Sequence, residues 1–287
     1  MLDLILGILF FNVILILFKL FEKYKVDNLQ AIIVNYIVAS SLGIITADVD
    51  EPVNYILHSD WVYFGLIIGF FFIVVFNLLA TGAQKVGIAI STVANKMSVI
   101  IPVIFAFIAF GDTVSFLKIT GIILALAGVY LTSTTGLKLN FDKKYLWLIL
   151  IIFVGQGIAD CIFNYAQHFY VDGNEAKIFI SSMFMGACTT GLIMVTPKYI
   201  RKESKFEFKN VLWGIGLGVP NFLTVYYFFR SLESGFMESS QVYPILNMGV
   251  IVLSALTGWL IFKEKMALAN WLGIVLSIFA IAAITFG

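Results

Sequence analysis

The residues best suited to chemistry in this chain are polar side chains within two strongly apolar segments. Lys96 lies near the middle of the first. Around it, Ser91, Asn95, Ser98 and Pro102 share one helical face. The second contains Asp160, the most deeply placed acid, in a stripe completed by Gln156, Asn164 and Gln167. A charge in the middle of a membrane helix costs about 2.5–3.5 kcal/mol on insertion scales. Such residues therefore indicate a binding site, an ion-coupling site or an internal ion pair.

Lys96 has three interpretations: a substrate or coupling site, a structural ion pair, or a lysine that snorkels to the membrane surface. We predict that Lys96 and Asp160 face each other as a charge pair that an anionic or zwitterionic substrate partly replaces. The same two residues are the candidates for coupling to a proton or counter-solute. Pro102 removes a helical hydrogen bond one turn earlier, so we predict a hinge there and a second hinge at Pro244.

Further polar residues in apolar segments are candidates for substrate contact. On the first candidate face these are Asn95 and Ser98, and elsewhere they are Asn12, Asn77, Asn221, Tyr226, Ser240, Tyr243 and Asn247. For each asparagine, a hydrogen bond between two helices explains the residue equally well.

Ten apolar segments must position these side chains. The composition is 61% hydrophobic and 12% charged, with a mean hydropathy of +1.00, whereas soluble domains contain about 25% charged residues. A membrane span needs about 20 apolar residues, and the segments are 2–20, 28–47, 61–82, 87–109, 114–134, 145–169, 174–196, 211–230, 236–262 and 268–286. We number them spans 1 to 10 and predict an all-α multi-pass membrane protein. The net charge of +1 gives no sign of a nucleic-acid partner, and we expect no metal or cofactor.

Loop charges predict the orientation. Connections on one side of the membrane hold 14 of the 18 Lys and Arg residues, while the other side holds only Lys118, Lys177 and Arg230. The positive-inside rule then places both chain termini outside the cytoplasm.

The two halves of the sequence resemble each other. Three motifs recur in the same order: Gly65/Gly69 as Gly214/Gly218, Gly87 with Ser91-Thr92 as Gly235 with Ser239-Ser240, and Asp112 before Gly121 as Glu264 before Gly273. We predict a first five-helix repeat in residues 1–137 and a second in 138–287. Because five is odd, the second repeat is inverted, which is a common plan in transporters with a midplane substrate site. The paired glycines themselves indicate close helix packing.

The whole chain resembles the EamA-like members of the drug/metabolite transporter superfamily. The similar features are the two five-helix halves, Ser91-Thr92, Pro102 ten residues before Gly-Asp112, and Lys-Glu264 before Gly273. The resemblance implies a secondary transporter, with a cavity lined mainly by spans 1, 3, 4, 6, 8 and 9. It also implies cytoplasmic termini, opposite to the loop charges. Ser254 replaces the proline expected in span 9, and Lys96 is not a general feature of the family.

We therefore expect a secondary transporter that moves a small polar metabolite, such as an amino acid or another carboxylate-bearing solute, by alternating access. The alternatives are a flippase for a lipid-linked sugar or other amphiphile, and a nucleotide-sugar or drug transporter of the same fold. A membrane enzyme is disfavoured because the sequence has no HExxH motif and no nucleophile–base signature. The expected location is a bacterial inner membrane, as a monomer or homodimer.

Overall fold

The computed structural model describes residues 1–85, 94–133, 145–200, 206–263 and 266–287. Within these ranges every regular element is a helix. The eleven α-helices are α1 (Leu2–Tyr24), α2 (Asn28–Thr46), α3 (Pro52–His58), α4 (Val62–Lys85), α5 (Ile100–Ala109), α6 (Phe116–Ser133), α7 (Leu146–Phe169), α8 (Ala176–Ile200), α9 (Phe208–Glu233), α10 (Ser239–Leu260) and α11 (Leu268–Phe286). A helix satisfies its own backbone hydrogen bonds, which lipid cannot do.

Eight helices in the described ranges are long and apolar enough to cross a membrane: α1, α2, α4 and α7 to α11. Predicted spans 4 and 5 correspond to shorter apolar helical segments, Ala94–Ala109, which has a turn at residues 98–99, and Phe116–Leu131. The all-helical, multi-pass architecture is thus confirmed, whereas the count of ten spans stays a prediction. The connection between predicted spans 2 and 3, expected to be a loop, contains the short helix α3.

Large apolar side chains cover much of the helix surfaces. Leu2, Ile108 and Phe116 are examples, with exposed fractions of 69%, 79% and 89%. Contiguous apolar surface of this kind is unfavourable in water and favourable against acyl chains. The exposed apolar surface therefore agrees with a protein embedded in lipid.

The helices form two compact units. Unit 1 contains Met1–Ile73 and Tyr165–Glu233, and unit 2 contains Val74–Asn164 and Ser234–Gly287. Only α4 and α7 contribute residues to both units. The predicted boundary between residues 137 and 138 lies outside the described residues, and the division into two sequence repeats stays a prediction.

Glycines allow two close helix contacts in unit 1, as their spacing predicted. A Cβ atom on Gly69 of α4 would lie 2.2 Å from the carbonyl oxygen of Met183 in α8. A Cβ atom on Gly218 of α9 would lie 2.6 Å from the Cβ of Val38 in α2. Both separations are too short for any side chain, so these glycines allow the paired helices to approach each other closely.

Candidate functional site

The candidate site in unit 2 begins at a break in the helix around Ser98. Residues 94–97 are helical, residues 98–99 form a turn, and α5 starts at Ile100. Pro102 has no N–H to donate to the Ser98 carbonyl oxygen, which instead accepts from the Ile101 N–H at 2.9 Å. The Ser98 hydroxyl donates to the Asn95 carbonyl oxygen at 2.5 Å. Asn95 and Lys96 therefore sit on a separate helical turn before α5.

This turn faces the polar stripe of α7. Asn95 Nδ2 donates to Gln156 Oε1 at 3.1 Å, and Gln156 Nε2 donates to Asp160 Oδ1 at 3.0 Å. Lys96 and Asp160 are both half-buried and interact electrostatically. Four side chains of the two predicted stripes thus lie in one polar group with charges of both signs: Asn95, Lys96, Gln156 and Asp160.

Helix α10 lines the same group from another side. Tyr243 donates its hydroxyl hydrogen to the Asp160 carbonyl oxygen at 2.8 Å, and Ser239 donates to Asn164 Oδ1 at 3.1 Å. Asn164 and Ser240 are completely buried. Within the described part of the chain, Asn164 Nδ2 and Ser240 Oγ have no hydrogen-bond partner. Buried polar atoms are normally paired, so this region has unused capacity to bind a polar group.

Acidic residues fix the start of α10 in unit 2. Asp112, which follows α5, accepts a hydrogen bond from the Ser240 N–H at 2.8 Å. Glu238 accepts from the backbone N–H and the hydroxyl of Thr113 at 2.9 and 2.8 Å. Lys118, which is only 1% exposed, donates to the same Glu238 carboxylate. This end of α10 is therefore held both by the connection after α5 and by α6.

In unit 1 the predicted site residues take two different roles. Asn221 Nδ2 of α9 donates to Asn35 Oδ1 of α2 at 3.0 Å, which makes it a bond between helices. Tyr226 stacks on Phe222, with ring centroids 6.0 Å apart. Its ring also lies 6.0 Å from the Lys177 ammonium. Asn12 of α1 is buried within the same unit.

The remaining predicted residues are placed as follows. Asn77 of α4 is half-buried in unit 2. Asn247 Nδ2 donates to the Tyr243 carbonyl oxygen, one turn back along α10, at 3.2 Å. Helix α10 runs unbroken through Pro244, so the helix interruption seen before Pro102 has no counterpart there. Ser91, Thr92, Gly87 and Glu264 lie outside the described residues.

Sequence reasoning missed several polar contacts. Arg230 Nε lies 3.7 Å from Asp3 Oδ1, and the guanidinium also interacts electrostatically with Glu233. Trp61 is 2% exposed and donates its indole N–H to Glu175 at 3.2 Å. Asp3 and Glu175 are each more than a hundred residues from their partners in the sequence, so no local pattern marks these contacts. In the sequence, Lys177 and Arg230 stood out because so few basic residues lie on their predicted side of the membrane.

The apolar helices and their lipid-type surface define a multi-pass membrane protein. The EamA-like transporter family matches residues 1–134 and 175–286 of the chain. The protein therefore belongs to the EamA-like transporter family, within the drug/metabolite transporter superfamily.

Two further matches to known proteins also cover nearly the whole chain. An uncharacterized protein of Haemophilus influenzae is 29% identical over 285 residues, covering 97% of this chain and 96% of the relative. A crystal structure of another protein matches with a TM-score of 0.78 over 99% of this chain and 96% of that chain. Its identity to this chain is 14%, so this second likeness shows the fold alone.

Proposed function

We propose that this protein is a secondary transporter that moves a small carboxylate-bearing metabolite, such as an amino acid, across a bacterial inner membrane by alternating access. Lys96 would attract the carboxylate and Asp160 the cationic group of a zwitterion. Asn95, Gln156, Asn164, Ser240 and Tyr243 would orient the solute. Asp160 and Lys96 are also the proposed coupling residues, and Pro102 the proposed hinge.

One observation carries this proposal: the opposite charges of Lys96 and Asp160 interact inside one polar group of apolar helices. A buried ion pair does not by itself stabilise a protein relative to apolar residues. The placement of two half-buried opposite charges among apolar helices is therefore better explained by a ligand that each charge recognises. Asn164 Nδ2 and Ser240 Oγ, which have no hydrogen-bond partner among the residues that the structure describes, support the same explanation.

We also propose that the ten predicted spans form two inverted five-helix repeats. Gly65 and Gly69 are each 149 residues before Gly214 and Gly218. The first pair packs α4 on α8 at Ser182 and Met183, and the second packs α9 on α2 at Val34 and Val38. In span numbers, span 3 packs on span 7 and span 8 packs on span 2. Span 8 is the counterpart of span 3 in the other half, and span 2 is the counterpart of span 7, so the two contacts are equivalent. The two family matches, one in each half, also support a repeat.

A second pair of positions supports the same symmetry. Gly111 and Lys263, which precede the acidic residues Asp112 and Glu264, both have left-handed backbone, with φ of 70° and 55°. The α6–α11 pair is also antiparallel, with Gly121 against Ile284 and Gly128 against Ser277. Repeat-related helices pack on each other in this way when a two-fold axis relates them.

The test is transport by the purified protein in liposomes. The panel compares amino acids and other carboxylates with their uncharged amides, with and without a pH gradient. We expect wild-type flux of a carboxylate-bearing solute, and loss of that flux in Lys96→Met and Asp160→Asn. The charge-swapped pair Lys96→Asp with Asp160→Lys tests whether the two charges act together. Unchanged flux in the single variants would show that Lys96 and Asp160 do not form the substrate site. Flux of lipid analogues alone would favour the flippase.

A further inference from the structure

Two basic residues of unit 1 lie against one tyrosine, at the end where α8 begins and α9 finishes. The Lys177 ammonium is 6.0 Å from the centroid of the Tyr226 ring. Arg230, one turn further along α9, interacts with the Tyr226 hydroxyl. By sequence, these are two of only three basic residues on their side of the membrane. The third, Lys118, is buried against Glu238 in unit 2.

The described contacts use only part of the binding capacity of the two cations. Lys177 donates one hydrogen bond, to the Thr46 carbonyl oxygen at 2.8 Å, although an ammonium has three donors. Arg230 Nε lies 3.7 Å from Asp3 Oδ1, beyond hydrogen-bond length, and its side chain is 51% exposed. A guanidinium has five donors in a planar fork that fits a carboxylate. The Asp3 carboxylate therefore marks a position that another carboxylate can compete for.

We propose that Lys177, Tyr226 and Arg230 form a recognition site for the carboxylate of the transported solute, with Asp3 as the internal carboxylate that the solute replaces at Arg230. This inference rests on the proposed function and adds a second recognition point, in unit 1, to the Lys96 group of unit 2. The Arg230 fork binds the carboxylate oxygens, Lys177 adds positive charge, and the Tyr226 hydroxyl donates a hydrogen bond.

A purely structural role makes a different prediction. In that case Lys177 only anchors the last turn of α2 and Arg230 only pairs with Asp3. Substitutions would then lower the unfolding temperature and the amount of folded protein without changing the KM of the folded fraction. A recognition site instead changes KM for charged solutes only. Its effect also weakens at high salt, because the distance beyond which mobile ions screen exposed charges falls from about 10 Å at 0.1 M to about 3 Å at 1 M.

The experiment measures initial transport rates in liposomes for a carboxylate solute that the wild type carries, and for its amide, at low and high salt. The variants are Lys177→Met, Arg230→Met, Arg230→Lys and Asp3→Asn. The matched control is Lys209→Met, which removes an exposed cation from the opposite end of α9. Thermal unfolding and gel filtration report folding of each variant.

We expect Arg230→Met to raise KM for the carboxylate about tenfold, as for loss of a hydrogen bond to a charged group. Lys177→Met should raise it less, Arg230→Lys should restore part of the affinity, and Asp3→Asn should lower KM. Amide transport and the Lys209→Met control should not change.

The outcomes separate the two proposals. Failure of the wild type to carry any carboxylate overturns the proposed function and this inference together. Carboxylate transport with unchanged KM in Lys177→Met and Arg230→Met overturns this inference alone. If those two variants do not fold, the Asp3→Asn variant provides the test, because it keeps both cations. An unchanged KM in Asp3→Asn would contradict the proposal that Asp3 competes with the solute carboxylate for Arg230.

Discussion

The ammonium of Lys118 lies 2.5 Å from the carboxylate of Glu238, and the two partners are unequally buried. Lys118 is 1% exposed, whereas Glu238 is 33% exposed. Lys118 also donates to the carbonyl oxygen of Thr113 at 2.8 Å. The lysine therefore depends on the protein for its solvation, while the glutamate retains access to water.

This inequality predicts unequal effects of substitution. Glu238→Ala leaves a buried ammonium without its counter-charge and should destabilise the protein by about 3 kcal/mol, the lower end for a broken buried pair. Lys118→Met leaves a carboxylate that water can reach, so its cost should be clearly smaller. Unfolding of the purified protein in mixed micelles measures both. Equal costs, or a larger cost for Lys118→Met, would contradict the described burial.

The pKa of Glu238 predicts a dependence of stability on pH. Burial raises the pKa of this carboxyl group, but hydrogen bonds from Lys118 and Thr113 and the lysine charge outweigh burial, so the net pKa is below its ordinary 4.5. A lowered folded-state pKa contributes stability above the unfolded value, and this is lost as pH falls through the folded one. The unfolding temperature should therefore fall more steeply below pH 4.5 in the wild type than in Glu238→Gln. Parallel curves for the two proteins would refute this.

Glycine packing predicts which glycines tolerate a methyl group. Gly69→Ala would place a Cβ 2.2 Å from a backbone oxygen of Met183, and forcing the helices apart should cost about 1–3 kcal/mol. Gly216→Ala is the matched control, because a Cβ there meets nothing within 4 Å. It should be neutral or stabilising by up to about 1 kcal/mol through helix propensity. Thermal unfolding of both variants in detergent is the measurement, and a neutral Gly69→Ala would count against the α4–α8 contact.

The Asn35–Asn221 bond predicts coupling in stability and no direct effect on transport. A double-mutant cycle with Asn35→Ala and Asn221→Ala should give a coupling energy of about 0.6 kcal/mol, typical of hydrogen bonds between membrane helices. The KM for the transported solute should stay unchanged in both single variants. A KM that rises in Asn221→Ala but not in Asn35→Ala would show instead that Asn221 contacts the solute.

Local sequence predicted much of the helical framework. The segments that became α2, α7 and α11 begin and end within a few residues of the predicted bounds, because apolar length and helical self-satisfaction of the backbone are local properties. The glycine pairs were also interpreted correctly as packing sites. The helix α3, in the connection after α2, was not predicted. It has only seven residues, too few to show a clear apolar periodicity.

The sequence by itself determined that the protein is surrounded by lipid. It also determined the candidate site residues, since a charge such as Lys96 is conspicuous in any apolar segment. Only the tertiary structure decided the partners. In the structure Asn95 is hydrogen-bonded to Gln156, and Asn221 is hydrogen-bonded to Asn35. Lys177 and Arg230 both lie against Tyr226. The physical reason is that composition and periodicity fix which side chains must leave lipid. Which side chains then meet depends on the packing of helices distant in the chain.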